Sequence, residues 1–85
     1  MSFAKQVTSS QKHLLYFVTA KDARFLDAYY YVMVDRGKEK KFEKDFAGGY
    51  INLEDYGKIL ASDYGREPSA RVKQRLKDEY GFDVD

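Results

Sequence analysis

Cysteine is absent from the 85 residues. Disulfides, thiol catalysis and thiolate metal sites are therefore excluded, and a small scaffold stapled for secretion is a poor description of the chain. Histidine occurs once, at His13, with no second histidine to build a metal site, so it reads as a surface or hydrogen-bonding residue. Charge of one sign is also lacking: 15 basic residues against 14 acidic ones leave a net +1. No whole-chain attraction to nucleic acid or to an anionic membrane follows from that balance. Residues 1–13 contain no long apolar run, which argues against a secretory signal or a membrane anchor and makes the cytoplasm the expected location. No internal repeat or low-complexity segment is visible.

What remains is material for one modest core. The chain is 44% hydrophobic and 16% aromatic, and its length suits one domain of marginal stability, which self-association into a homodimer would relieve. The organising stretch is Ala28-Tyr29-Tyr30-Tyr31-Val32-Met33-Val34, β-branched and aromatic, bounded by Asp27 and Asp35. It predicts a central strand. On alternation Tyr29, Tyr31 and Met33 share one face and Tyr30, Val32 and Val34 the other, so both faces are apolar and both require cover. A sharper reading is a face of exposed rings awaiting a ligand.

Residues 14–20 repeat that character, and the short connection from Lys21 to Asp27 forces an antiparallel neighbour, giving a hairpin of strands 14–20 and 28–34. Phe25 and Leu26 stand at the tip of its polar loop. Residues 38–47, with Phe42 and Phe46 four apart and Gly48-Gly49 behind them, predict a thin amphipathic helix ended by glycine. Arg36, Lys38, Lys40, Lys41 and Lys44 are interleaved with Asp35, Glu39, Glu43 and Asp45, the pattern of a solvated helix face more than of a nucleic-acid footprint. Gly48-Gly49 lacks the residues of a phosphate loop.

Tyr50-Ile51 is a candidate third short strand. Asn52 then reads as an N-cap, and Leu53, Tyr56, Ile59, Leu60 and Tyr64 predict an amphipathic helix lying on the sheet. Gly57 inside it points to a backbone or ring in close approach. A last helix is expected from Pro68 or Ser69 to Tyr80, capped by Gly81, with Val72, Leu76 and Tyr80 as its seam. Phe82 and Val84 alternate with Asp83 and Asp85, so the tail could join a sheet edge. The expected organisation is a loosely ordered arm over 1–13 and an α+β domain over 14–85, a small antiparallel sheet packed with two or three helices.

No catalytic constellation emerges from the hydroxyls and the single histidine, and no cofactor or metal set is expected. Asp22, Asp27 and Asp35 bracket the hairpin without the spacing of a cation loop. The function this supports is a non-catalytic protein-interaction or regulatory module, binding another protein or a second copy of itself. Its candidate binding residues are Tyr16, Arg24, Phe25, Tyr29, Tyr31 and Arg36. The first alternative is single-stranded nucleic-acid binding, with Tyr29, Tyr31, Tyr16 or Phe17 stacking bases beside Arg24 and Arg36, although the RNA-recognition signature itself is missing. The second is a small enzyme or ligand-binding subunit, which requires a concave site with convergent polar groups.

Overall fold

The computed structural model describes residues 3–9, 12–21, 24, 26–48 and 52–84. Among them, strands β1 (Phe3–Ser9), β2 (His13–Lys21), β3 (Asp27–Asp35) and β4 (Gly57–Tyr64) form one antiparallel sheet in chain order. Helix α1 (Glu39–Ala47) connects β3 to β4, and α2 (Ala70–Tyr80) follows β4. This is a small α+β domain.

The β2–β3 hairpin is the frame. Its ladder runs without interruption from His13 opposite Asp35 to Lys21 opposite Asp27. Alternation along it produces two apolar layers, as the sequence predicts. Leu15, Phe17, Tyr29 and Tyr31 pack with Leu60, Ala61, Val72, Leu76 and Phe82 on the α2 face, whereas Leu14, Tyr16, Val18, Val32 and Val34 pack with Phe42 on the α1 face. Each helix thus covers one side of the sheet. Burying a side chain of this size contributes about 2 kcal/mol, so both layers are needed to offset the chain entropy of so small a domain.

Residues 3–9, which the sequence reading assigns to a loose arm, are instead an edge strand. Lys5 lies opposite Phe17 and Gln6 opposite Tyr16, and the register shifts at Val7, which packs against the α2-face core. Pairing with β2 orders a segment too polar to announce itself.

The larger correction concerns residues 53–64. Asn52 does cap a helix, its side chain accepting the Glu54 N–H at 3.1 Å, but that helix is a single 3₁₀ turn over Leu53–Asp55. From Gly57 the chain is strand β4. Tyr31 pairs with Ala61 and Val32 with Ile59, leaving Leu60 as an extra residue in a bulge. Leu60 joins the α2-face core while Ile59, Tyr56 and Leu53 pack on the α1 face, a division no single helix face could achieve. The close approach expected at Gly57 is to the backbone of β3: a Cβ there would lie 1.9 Å from the Met33 carbonyl oxygen.

Helix α2 follows expectation closely. Ser69 caps it, accepting the Val72 N–H at 3.3 Å, and Gly81 ends it in the left-handed region at φ 74°. Val72 and Leu76 are its buried residues. The tail does not extend the sheet: Phe82 is buried in the α2-face core and Val84 packs against it. Residues 50 and 51, the candidate third strand, lie outside the described residues.

Helix α1 is held by polar as well as apolar contacts. The Tyr16 hydroxyl donates to Glu43 Oε1 at 3.0 Å, and the Tyr56 hydroxyl donates to Asp45. Burial, followed by the hydrogen bond to Glu43 and its charge, pushes the Tyr16 phenol up to about 12. Burial, with Tyr29 beside it, pushes Tyr31 up to about 12. The native state therefore holds these phenols neutral beyond the ordinary value of 10.0. Their contribution to stability is fully present below that value and is lost as pH rises from it towards the folded pKa. Alkaline titration should show circular dichroism falling over that window as tyrosinate absorbance rises. All eight tyrosines ionising together at the ordinary value, with the dichroism unchanged, would contradict this.

Candidate functional site

The residues singled out from sequence do not form one site. Tyr16, Tyr29 and Tyr31 are 1%, 1% and 2% exposed. Tyr29 and Tyr31 meet edge to face, with centroids 6.2 Å apart, and Phe17 contacts both, at 5.7 and 5.3 Å. Tyr16 is on the opposite side of the sheet, its ring 4.9 Å from that of Phe42. These rings are core, covered by α2 and α1 respectively, because a central strand with two apolar faces needs two lids. Arg24 and Arg36 lie beyond opposite ends of β3. Arg36 is exposed just past the C-terminal end, with its backbone N–H donating to the Lys12 carbonyl at 3.1 Å. Phe25 lies outside the described residues.

Of the five that are described, Arg24 alone reaches a distinctive surface. Antiparallel pairing sets the start of β3 beside the end of β4, with Ala28 opposite Tyr64 and the Gly65 N–H donating to the Asp27 carbonyl at 2.8 Å. Gly65 turns away at φ 117°, a conformation that favours glycine. That turn brings Arg66 back towards β3, where its Nε donates to Asp27 Oδ2 at 2.8 Å. Across the same end Arg24 Nη2 donates to the Tyr64 hydroxyl at 2.9 Å, and its guanidinium carbon lies 5.6 Å from the centre of the ring. The contact is within cation–π range.

Two large apolar side chains are exposed here, Tyr64 at 58% and Leu26 at 47%. The end of the sheet therefore carries an exposed aromatic ring contacted by Arg24, an exposed aliphatic side chain at Leu26, and Arg66 held by Asp27. Sequence reasoning names Arg24 and notes Leu26 at the loop tip, where tucking under the loop is the expected fate, but misses Tyr64 and Arg66, because Tyr64 reads as part of a helix. Recognising residues 57–64 as a strand would have placed Tyr64 beside the hairpin.

Other constellations are thinner. Asp27 and Asp35 stand at opposite ends of β3, roughly 26 Å apart at strand rise, and Asp22 lies outside the described residues. Asp35 Oδ1 instead lies 3.2 Å from His13 Nε2. A surface depression of about 270 Å³ beside α2 is lined by Ala70, Lys73, Gln74, Lys77, Asp83 and Val84, none of them buried. Among the described residues, no helix is long and apolar enough to cross a membrane.

Set against protein-family models, curated proteins and solved structures, the chain matches none of them.

Proposed function

We propose that this protein is a non-catalytic protein-interaction or regulatory module that engages another protein through the sheet end built from Arg24, Leu26, Tyr64 and Arg66. The observation that carries the reading is the exposure of Tyr64 and Leu26 at the end of the sheet where Arg24 contacts the Tyr64 ring and Arg66 is held by Asp27. Tyrosine and arginine are the residue types that dominate binding energy at protein interfaces. Here they stand partly ordered in advance: the Arg24–Tyr64 bond and the Arg66–Asp27 ion pair restrict long side chains that would otherwise lose entropy on docking. The burial of Tyr16, Tyr29 and Tyr31 weighs against the base-stacking alternative, which needs open ring faces.

The test is capture of partners from a lysate of the source cells with the tagged full chain, with and without nuclease. A variant carrying Leu26→Asp and Tyr64→Ser is run alongside. Both positions are exposed, so the variant should melt within a few degrees of the parent. The expected result is a defined protein that survives nuclease and is lost from the variant. Capture of the same set by the variant, or loss of every partner with nuclease, would overturn the reading.

A further inference from the structure

We infer that two copies of this chain associate edge to edge through β4, antiparallel about a two-fold axis at Leu60 and Ala61, so that Lys58 of each copy meets Asp63 of the other. This surface is the open side of the sheet and meets the sheet end only at Tyr64, and the inference does not depend on that reading.

Strand β4 closes the strand order, so among the described residues one side of its backbone has no strand beside it. The direction of its hydrogen-bonding groups follows from the ladder. The Gly65 N–H donates inward to Asp27, and in an antiparallel pair successive residues alternate, so Asp63 turns inward and Ser62 outward. With Leu60 and Ala61 together facing Tyr31, Ile59 turns outward as well. Ile59 and Ser62 stand on either side of the bulge. In an antiparallel pairing centred there, Ile59 of one copy exchanges backbone hydrogen bonds with Ser62 of the other, and the symmetry repeats the exchange.

The charges fit the same register. Lys58 and Asp63 are five residues apart, an odd interval that would put them on opposite faces of a regular strand. The extra residue at Leu60 brings them to one face: Lys58 pairs with Met33 and Asp63 with Tyr29, both of which pack in the α2-face core. A common face is the condition for two residues to meet across the two-fold. Both side chains are exposed, and the Asp63 carboxylate is held along the edge by accepting the Tyr64 N–H at 2.8 Å. The other edge offers no such match. In β1, Lys5 is the only charged residue, so self-pairing there would bring no opposite charges together. The occupant that fits β4 is therefore β4 of a second copy, giving one continuous sheet across the dimer.

Sedimentation equilibrium on the full chain should show a concentration-dependent dimer that weakens as salt is raised. Lys58→Asp leaves only negative charges on the edge and Asp63→Lys leaves only positive ones, so each variant alone should dimerise roughly tenfold less tightly or worse. An equimolar mixture of the two should recover association as a heterodimer, and the chain carrying both changes should regain the homodimer. Ser62→Pro removes an outward N–H, a change tolerated at a sheet edge, and should abolish the dimer with circular dichroism preserved. A monomer at every concentration would overturn the inference. So would a dimer indifferent to charge reversal, or a mixture that fails to associate.

Discussion

A Gly57→Ala chain is expected to lose about 3 kcal/mol or more of stability, a large part of the total available to a small domain. In melting temperature that corresponds to a fall of roughly 12–24 °C. The reason is contact with backbone. A Cβ at this position would lie 1.9 Å from the Met33 oxygen, 2.7 Å from its carbonyl carbon and 2.9 Å from the Val34 Cα. None of these atoms can swing aside as a side chain would, so relief requires β4 to part from β3 where Val34 faces Gly57 and Met33 faces Lys58. That opening would strip cover from Val32 and Val34, both fully buried. Thermal unfolding followed by circular dichroism is the measurement. A melting temperature within a few degrees of the parent would show that the two strands separate at little cost.

The second large effect is expected at Phe42. Truncation to alanine should cost about 3–5 kcal/mol, because Phe42 is the buried residue of α1 and the hub of its ring cluster. Its centroid lies 4.9 Å from Tyr16, 5.6 Å from Tyr56 and 5.9 Å from Phe46. A nine-residue helix cannot persist without tertiary support, so loss of this anchor should release α1 as a whole and expose Leu14, Val18, Val32 and Val34. Urea denaturation should show the lower midpoint, and binding of a hydrophobic dye below that midpoint should report the uncovered face. Phe42→Leu, which keeps most of the volume, should recover more than half of the loss. A near-neutral Phe42→Ala would mean that the two tyrosine–carboxylate bonds hold α1 without the ring.

How much of this was legible in the sequence depends on how far each segment obeys one period. Strands β2 and β3 are continuous β-branched and aromatic runs joined by a short link, and their pairing follows from composition and loop length alone. Helix α2 announces itself through Ser69, its three seam residues spaced four apart and Gly81. Strand β4 obeys neither period. The bulge at Leu60 places two successive residues on one face, and the 3₁₀ turn contributes Leu53 and Tyr56 at a helical interval, so the whole stretch imitates an amphipathic helix. Strand β1 was hidden for another reason: an edge strand needs little apolar content of its own, since it borrows the ladder and the face of its neighbour. The candidate site was lost with β4. Its aromatic member, Tyr64, sits at the end of that strand, and the tyrosines that stood out in sequence did so because the core needs them.

The placement of α2 after all four strands has a consequence for biogenesis. The chain leaves the ribosome N-terminus first, so Phe17, Tyr29 and Tyr31 emerge before the α2 residues that cover them. For that interval the nascent sheet carries an uncovered aromatic surface beside an unprotected edge, the form most prone to misassembly. Cover for it arrives only with Val72, Leu76 and Phe82. A premature stop at the Pro68–Ser69 junction would therefore yield a sticky, chaperone-dependent fragment, although it retains every strand of the sheet.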